Sequence, residues 1–195
     1  GDSYTIGESV APLERWPNQL QAELEAGLSD ESFDDATILA TTGWTTSNLS
    51  QALSSSGYEN ESWDLVSLLI GVNNQYQGAE LEQYEVEYED LLQRAISAAG
   101  ARAGRVFVVS IPDYGYTPFG VNNQAQISTE LEGFNAACKA ITELYGVAYF
   151  NITPISQQWP EVEGLVAGDG LHPSPLQYAM WVDAFHEQVR DLLQP

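Results

Sequence analysis

Gly1-Asp2-Ser3-Tyr4-Thr5-Ile6-Gly7-Glu8 opens the sequence, and the rest of the chain is read outward from the serine between its two glycines. Glycine lets a backbone turn sharply and come close to a ligand. A serine on such a turn points its hydroxyl into open space, but the hydroxyl is a poor nucleophile until a base takes its proton. The chain holds 2 histidines, so the search for that base is short. His172 lies in Asp169-Gly170-Leu171-His172-Pro173, where the acid can orient the ring and stabilise its cation. Ser3, His172 and Asp169 form a candidate triad. Each segment alone is weak, because most lone serines are caps and most Asp-Gly pairs are turns. His186 falls on an amphipathic helix and reads as a surface residue. A metal site of Asp2, Asp169 and His172 is the competing reading. No further His or Cys stands at ligand spacing, so no metal is expected.

Two further segments strengthen the serine reading. Ala36-Thr37-Ile38-Leu39-Ala40-Thr41-Thr42-Gly43-Trp44-Thr45 is an apolar, β-prone run that breaks at a glycine. Trp63-Asp64-Leu65-Val66-Ser67-Leu68-Leu69-Ile70-Gly71-Val72-Asn73-Asn74 reads as another strand, ending in Gly-x-Asn. Acyl transfer needs donors for the oxyanion of its tetrahedral intermediate. The N–H groups of Ser3 and Gly43 and the side-chain amide of Asn73 are candidates. The plainer readings are a turn glycine and a loop-capping amide.

These blocks together resemble the SGNH (GDSL-like) hydrolases, in the family's order and over nearly the whole chain. Gly1-Asp2-Ser3 is similar to the nucleophile block, Gly43 to the glycine block, Gly71-x-Asn73 to the asparagine block and Asp169-x-x-His172 to the acid-base block. Tyr4 stands where the family's name has Leu, and Asn74 where the asparagine block often has Asp. In that family a buried strand runs directly into Gly-Asp-Ser, so a first strand is expected to be missing before Gly1. The resemblance implies an α/β fold: a three-layer α/β/α sandwich with a flavodoxin-like parallel sheet of strand order 2-1-3-4-5. It also implies a serine ester hydrolase that needs no cofactor.

Composition sets limits. A chain of 195 residues, 44% hydrophobic, reads as one domain with a sizeable core. One cysteine excludes an internal disulfide framework, and Cys138 reads as a small core residue on a helix stripe. No apolar run reaches membrane-spanning length, and no signal peptide is visible. A soluble protein is expected, in the cytoplasm or exported. The formal net charge of −22 repels nucleic acid and anionic membranes, so neither is expected as a partner. It also disfavours strongly anionic substrates and suits solubility in high salt.

Along the chain, strand and helix patterns alternate. Helices are expected from Pro12 to about Gly27, from a Thr45, Thr46 or Ser47 cap through Leu53, and from Glu80 to Ala99. Another is expected from Thr129, with Thr129 and Glu132 as a capping box. The last follows Ser174-Pro175, with Gln177 as capping-box partner. Residues 29–35 and 74–78 read as loops. Further strands are expected at Arg105–Pro112 and Val147–Ile152. Apolar strands alternating with helices point to a parallel sheet covered on both faces. Ligands bind beyond the carboxyl ends of such strands. Trp44, Tyr76, Tyr114, Tyr116, Phe119 and Trp159 are candidate pocket walls there, suited to sugar rings or short acyl groups. The expected function is hydrolysis of short acyl or carbohydrate O-acetyl esters. A catalytically weak glycan-binding module and an acyltransferase are the alternatives.

Overall fold

Val106-Phe107-Val108-Val109 is the most deeply buried stretch of strand, because a parallel strand covered on both faces has no polar side. In the computed structural model, which describes residues 1–28 and 33–194, it is the middle of a three-stranded sheet. The order is β1 (Val66–Leu68), β2 (Val106–Val109), β3 (Ala148–Phe150), and both pairings are parallel. Ser67 lies opposite Phe107 of β2, and Phe107 opposite Ala148 of β3.

Side chains alternate across the sheet. Phe107 meets Trp16 of α2 (Trp16–Gly27) and Phe185 of α8 (Pro175–Leu193), with ring centroids 6.2 and 6.0 Å apart. α2 and α8 pack on each other across this face. The other pair of long helices is α5 (Leu81–Ala98) and α6 (Gln124–Leu144), locked by Tyr84 against Phe134 at 4.7 Å. Along α5 the buried residues Tyr84, Tyr88, Leu91, Leu92 and Ala95 recur at helical spacing, as the sequence pattern predicts. Cys138 of α6 is 2% exposed within the same core. Truncating a ring such as Phe107 to Ala would cost about 3–5 kcal/mol.

α3 (Thr46–Ser56) starts with a Thr45–Asn48 capping box and ends at Gly57 in the left-handed conformation. Ser174 caps α8 by accepting the Gln177 N–H at 3.2 Å. The reciprocal half of the expected box is not made: Gln177 Nε2 and the Ser174 N–H both donate to the Leu165 carbonyl, at 2.9 Å each. The helix start is thereby tied to the preceding loop.

Several expectations are corrected. The run from Ala36 to Gly43 is not a strand in this sheet. It and β1 line one cavity of about 720 Å³ together with Trp16, Leu20, Leu49 and Phe107. Leu39 O instead accepts from the Gly1 amine at 2.7 Å. The described sheet contains three strands, and their order agrees with the last three of the expected 2-1-3-4-5. The expected loop after Asn73 begins as a helical turn, α4 (Val72–Tyr76). α6 begins at Gln124, not near Thr129. The Thr129 hydroxyl bonds back to Ala125 O at 2.8 Å within the helix, so Thr129 and Glu132 cap nothing. The expected helix from Pro12 opens as a 3₁₀ turn at Pro12–Glu14, and α2 starts only at Trp16, with Pro17 in its first turn. Of the expected polar loop at 29–35, residues 29–32 lie outside the described residues.

Candidate active site

Ser3 begins a single helical turn, α1 (Ser3–Ile6). Asp2 caps it, Oδ1 accepting the Tyr4 N–H at 3.0 Å, and Gly7 closes it in the left-handed conformation. At the first helical position, the Ser3 N–H has no intrahelical acceptor. Beyond Gly7, Ser9 is also left-handed, with φ of 66°.

His172 sits on a loop folded back on itself: Ala167 N–H reaches His172 O at 2.8 Å, and Gly170 N–H reaches Ala167 O at 3.0 Å. Asp169 is the hub. Its Oδ1 accepts the Leu171 and His172 N–H groups at 2.9 and 3.0 Å. Its Oδ2 accepts from His172 Nδ1 at 2.6 Å and from the Ser9 hydroxyl at 2.6 Å. Burial alone would raise the Asp169 pKa. The hydrogen bonds from Ser9, His172 and the two backbone groups outweigh it and hold the carboxyl well below the usual range. The His172 ring meets Tyr4 edge-on, centroids 6.1 Å apart, so the histidine lies against the residue next to Ser3. Among the described residues, His172 Nε2 has no protein partner.

The remaining blocks are stitched to this centre. The Thr42 hydroxyl donates to the Glu8 carboxylate. Asn73 Nδ2 donates to Trp44 O at 2.9 Å, leaving its second N–H uncommitted. Gly43 is exposed in the turn closed by Trp44 N–H to Thr41 O, with φ of 85°, a backbone that side chains with a Cβ rarely adopt. Its N–H and that of Ser3 donate to no acceptor among the described residues. Asn74 is buried and faces inward: Oδ1 accepts the Thr46 N–H at 3.0 Å, and Nδ2 donates to the Thr46 hydroxyl at 2.7 Å. Gly71, with φ of 133°, lets the chain turn there; a Cβ would stand 2.7 Å from the Tyr84 ring.

Beneath the serine, Asp2 is 0% exposed and its Oδ2 has no hydrogen-bond partner. Burial pushes its pKa up to about 7, against the pull of the backbone N–H groups of Tyr4, Asp2 itself and Gly71. Both Asp169 oxygens are committed to hydrogen bonds. Among the described residues no cluster of three His, Cys, Asp or Glu side chains could hold a metal ion.

Of the expected pocket walls, Tyr76, Tyr114 and Phe119 form one cluster, with centroids 6.2–6.3 Å apart. Tyr76 and Phe119 are exposed, while Tyr114 is buried and donates its hydroxyl to Gln75 Oε1 at 2.9 Å. Phe119 N–H donates to Gly170 O at 3.0 Å, which sets the cluster between Asn73 and the His172 loop. Trp44 packs against the core. Tyr116 and Trp159 are half-buried and make no aromatic contact with the cluster. Sequence reasoning missed Ser9, Glu8 and Thr42: their contacts span far-separated segments and carry no local pattern.

The chain resembles solved esterase structures along nearly its whole length. TesA superposes with a TM-score of 0.73 at 19% identity, covering 98% of this chain and 96% of its own. Axe2, an acetylxylan esterase from Geobacillus stearothermophilus, superposes with 0.72 at 16%, covering 97% and 91%. The psychrotrophic esterase EstA from Pseudoalteromonas sp. gives 0.70 at 16%, covering 98% and 94%. These likenesses establish the shared fold. No curated protein matches the sequence. The GDSL-like lipase/acylhydrolase family matches residues 1–180. With that match over most of its length, the chain belongs to the GDSL-like lipase/acylhydrolase family and is a carboxylic ester hydrolase.

Proposed function

We propose that the chain hydrolyses short acyl esters, carbohydrate O-acetyl groups among them, with Ser3 as nucleophile, His172 as base and Asp169 as the orienting acid. The observation that carries this reading is the 2.6 Å bond between Asp169 Oδ2 and His172 Nδ1. It puts the ring proton on Nδ1 and leaves Nε2 as the base, on a ring lying against Tyr4. Ser3 Oγ attacks the ester carbonyl as Nε2 takes its proton. The tetrahedral oxyanion is held by the N–H groups of Ser3 and Gly43 and the second amide N–H of Asn73. Nε2 then returns the proton to the leaving alcohol, and water repeats the cycle on the acyl-enzyme. Asp169 stays ionised throughout and stabilises the imidazolium.

Substrate class is inferred from the surroundings. Tyr76 and Phe119 offer two exposed rings over which a sugar ring or short acyl chain can lie. The charge of −22 disfavours anionic esters. That one structural neighbour is an acetylxylan esterase agrees with the carbohydrate reading.

A panel of nitrophenyl esters of increasing acyl length, run beside an acetylated xylo-oligosaccharide, tests it. We expect kcat/KM to be highest for acetate and to fall with chain length, with acetate released from the sugar. Preference for long acyl chains would overturn the short-ester assignment.

A further inference from the structure

Ser9 stands outside the family blocks, yet it touches the acid that orients His172. Its hydroxyl donates to Asp169 Oδ2 at 2.6 Å, the same oxygen that accepts from His172 Nδ1. Its backbone is left-handed, φ 66°, a conformation uncommon for residues with a Cβ and retained where the surroundings over-determine it. The neighbouring Glu8 takes the Thr42 hydroxyl, so the same short loop reaches both the acid-base loop and the glycine turn. Without Ser9, Oδ2 would keep a single partner, while Oδ1 would keep its two backbone N–H groups.

We propose that Ser9 is a positioning residue: its hydroxyl fixes Asp169 and tempers the charge that Oδ2 presents to His172 Nδ1. The proposal rests on the triad reading above. Two hydrogen bonds to one oxygen share its lone pairs, so the Ser9 bond weakens the pull of Asp169 on the imidazolium. Removing the hydroxyl concentrates charge on Oδ2, favours the protonated ring and loosens the carboxylate. Tyr178 of α8 feels the charge of Asp169, together with those of Asp2, Arg15 and Glu8 of the N-terminal segment. None of them hydrogen-bonds Asp169.

The test compares Ser9→Gly, Ser9→Ala and Ser9→Thr with the native chain and with Ser3→Ala. Glycine accepts the left-handed backbone, so Ser9→Gly should melt close to the native temperature. Its kcat should fall roughly fivefold, the scale of one net hydrogen bond, with KM little changed. The acidic limb of its kcat/KM profile should move to higher pH. The Nδ1 proton resonance of His172, assigned by comparison with His186→Gln, should move downfield. Ser9→Ala should follow Ser9→Gly, and Ser9→Thr, which keeps the hydroxyl, should restore the native pH profile while melting lower, because a β-branched side chain strains the left-handed backbone. A native profile and resonance in Ser9→Gly, with Ser3→Ala inactive, would overturn the role of Ser9 and leave the triad standing. Activity retained by Ser3→Ala would overturn the triad, and the resonance would then still report whether Ser9 acts on the His172–Asp169 pair.

Discussion

Asp169 and His172 are joined twice: side chain to side chain at 2.6 Å, and Asp169 Oδ1 to the His172 N–H at 3.0 Å. Oδ1 also accepts the Leu171 N–H at 2.9 Å, an Asx-type turn, so the proposed orienting acid and base share one loop. Losing either end should therefore matter unequally. Ser3→Ala and His172→Ala should each abolish most turnover, and the double variant should be little worse, because such residues act as a unit. Asp169→Ala should retain more activity, since the ring still offers Nε2. Steady-state rates of the four variants on nitrophenyl acetate check this ranking.

The two neighbouring asparagines should separate by function. Asn73→Ala should lower kcat roughly 10²–10³-fold with little change in KM, the usual effect of a lost oxyanion donor. Asn74→Ala should be milder in kcat, but it strips the Thr46 N–H and hydroxyl of a buried partner. Its stability should drop by about 1–3 kcal/mol. Urea unfolding alongside kinetics distinguishes the two.

Asp2 gives a pH signature of the opposite sign to Asp169. Its folded pKa, raised from 3.8 to about 7, means that ionisation opposes folding. That contribution is favourable below the unfolded value and is lost as pH rises through about 7. Asp169 is held low, so its stabilisation is present above the ordinary carboxylate range and fades as pH falls below it. Asp2→Asn should flatten the loss of melting temperature between about pH 4 and about pH 7. An unchanged slope would contradict the burial argument.

Salt should stabilise the fold. With 28 acids against 6 bases, carboxylates crowd the surface. The screening length falls from about 10 Å at 0.1 M salt to about 3 Å at 1 M. The melting temperature should rise in molar NaCl, and KM for an uncharged ester should stay nearly constant. A flat or falling melting temperature would make the acidic surface incidental to stability.

The parts of the fold visible in sequence are those governed by local rules. α5 announces itself by its apolar spacing, and α8 by Ser174-Pro175. β2 stands out because both its faces are buried. What escaped depends on partners far along the chain. Ala36–Gly43 has strand composition, but a ladder needs a neighbour, and none of the described strands pairs with it. Thr129 has capping chemistry, yet helix formers upstream carry α6 through it. In the proposed site, type and order suffice to nominate Ser3, Gly43, Asn73, Asp169 and His172 as candidates. Ser9 could not, because nothing near it hints that Asp169 will arrive 160 residues later.

The central claim is that Ser3 is the nucleophile, and covalent capture reads it most directly. The intact chain is treated with a fluorophosphonate ester, digested and mapped by mass spectrometry. The account predicts one adduct per chain, on Ser3, with loss of esterase activity in step with labelling and no adduct on Ser3→Ala. Labelling of another serine with Ser3 unmodified, or full esterase activity in Ser3→Ala, would contradict it.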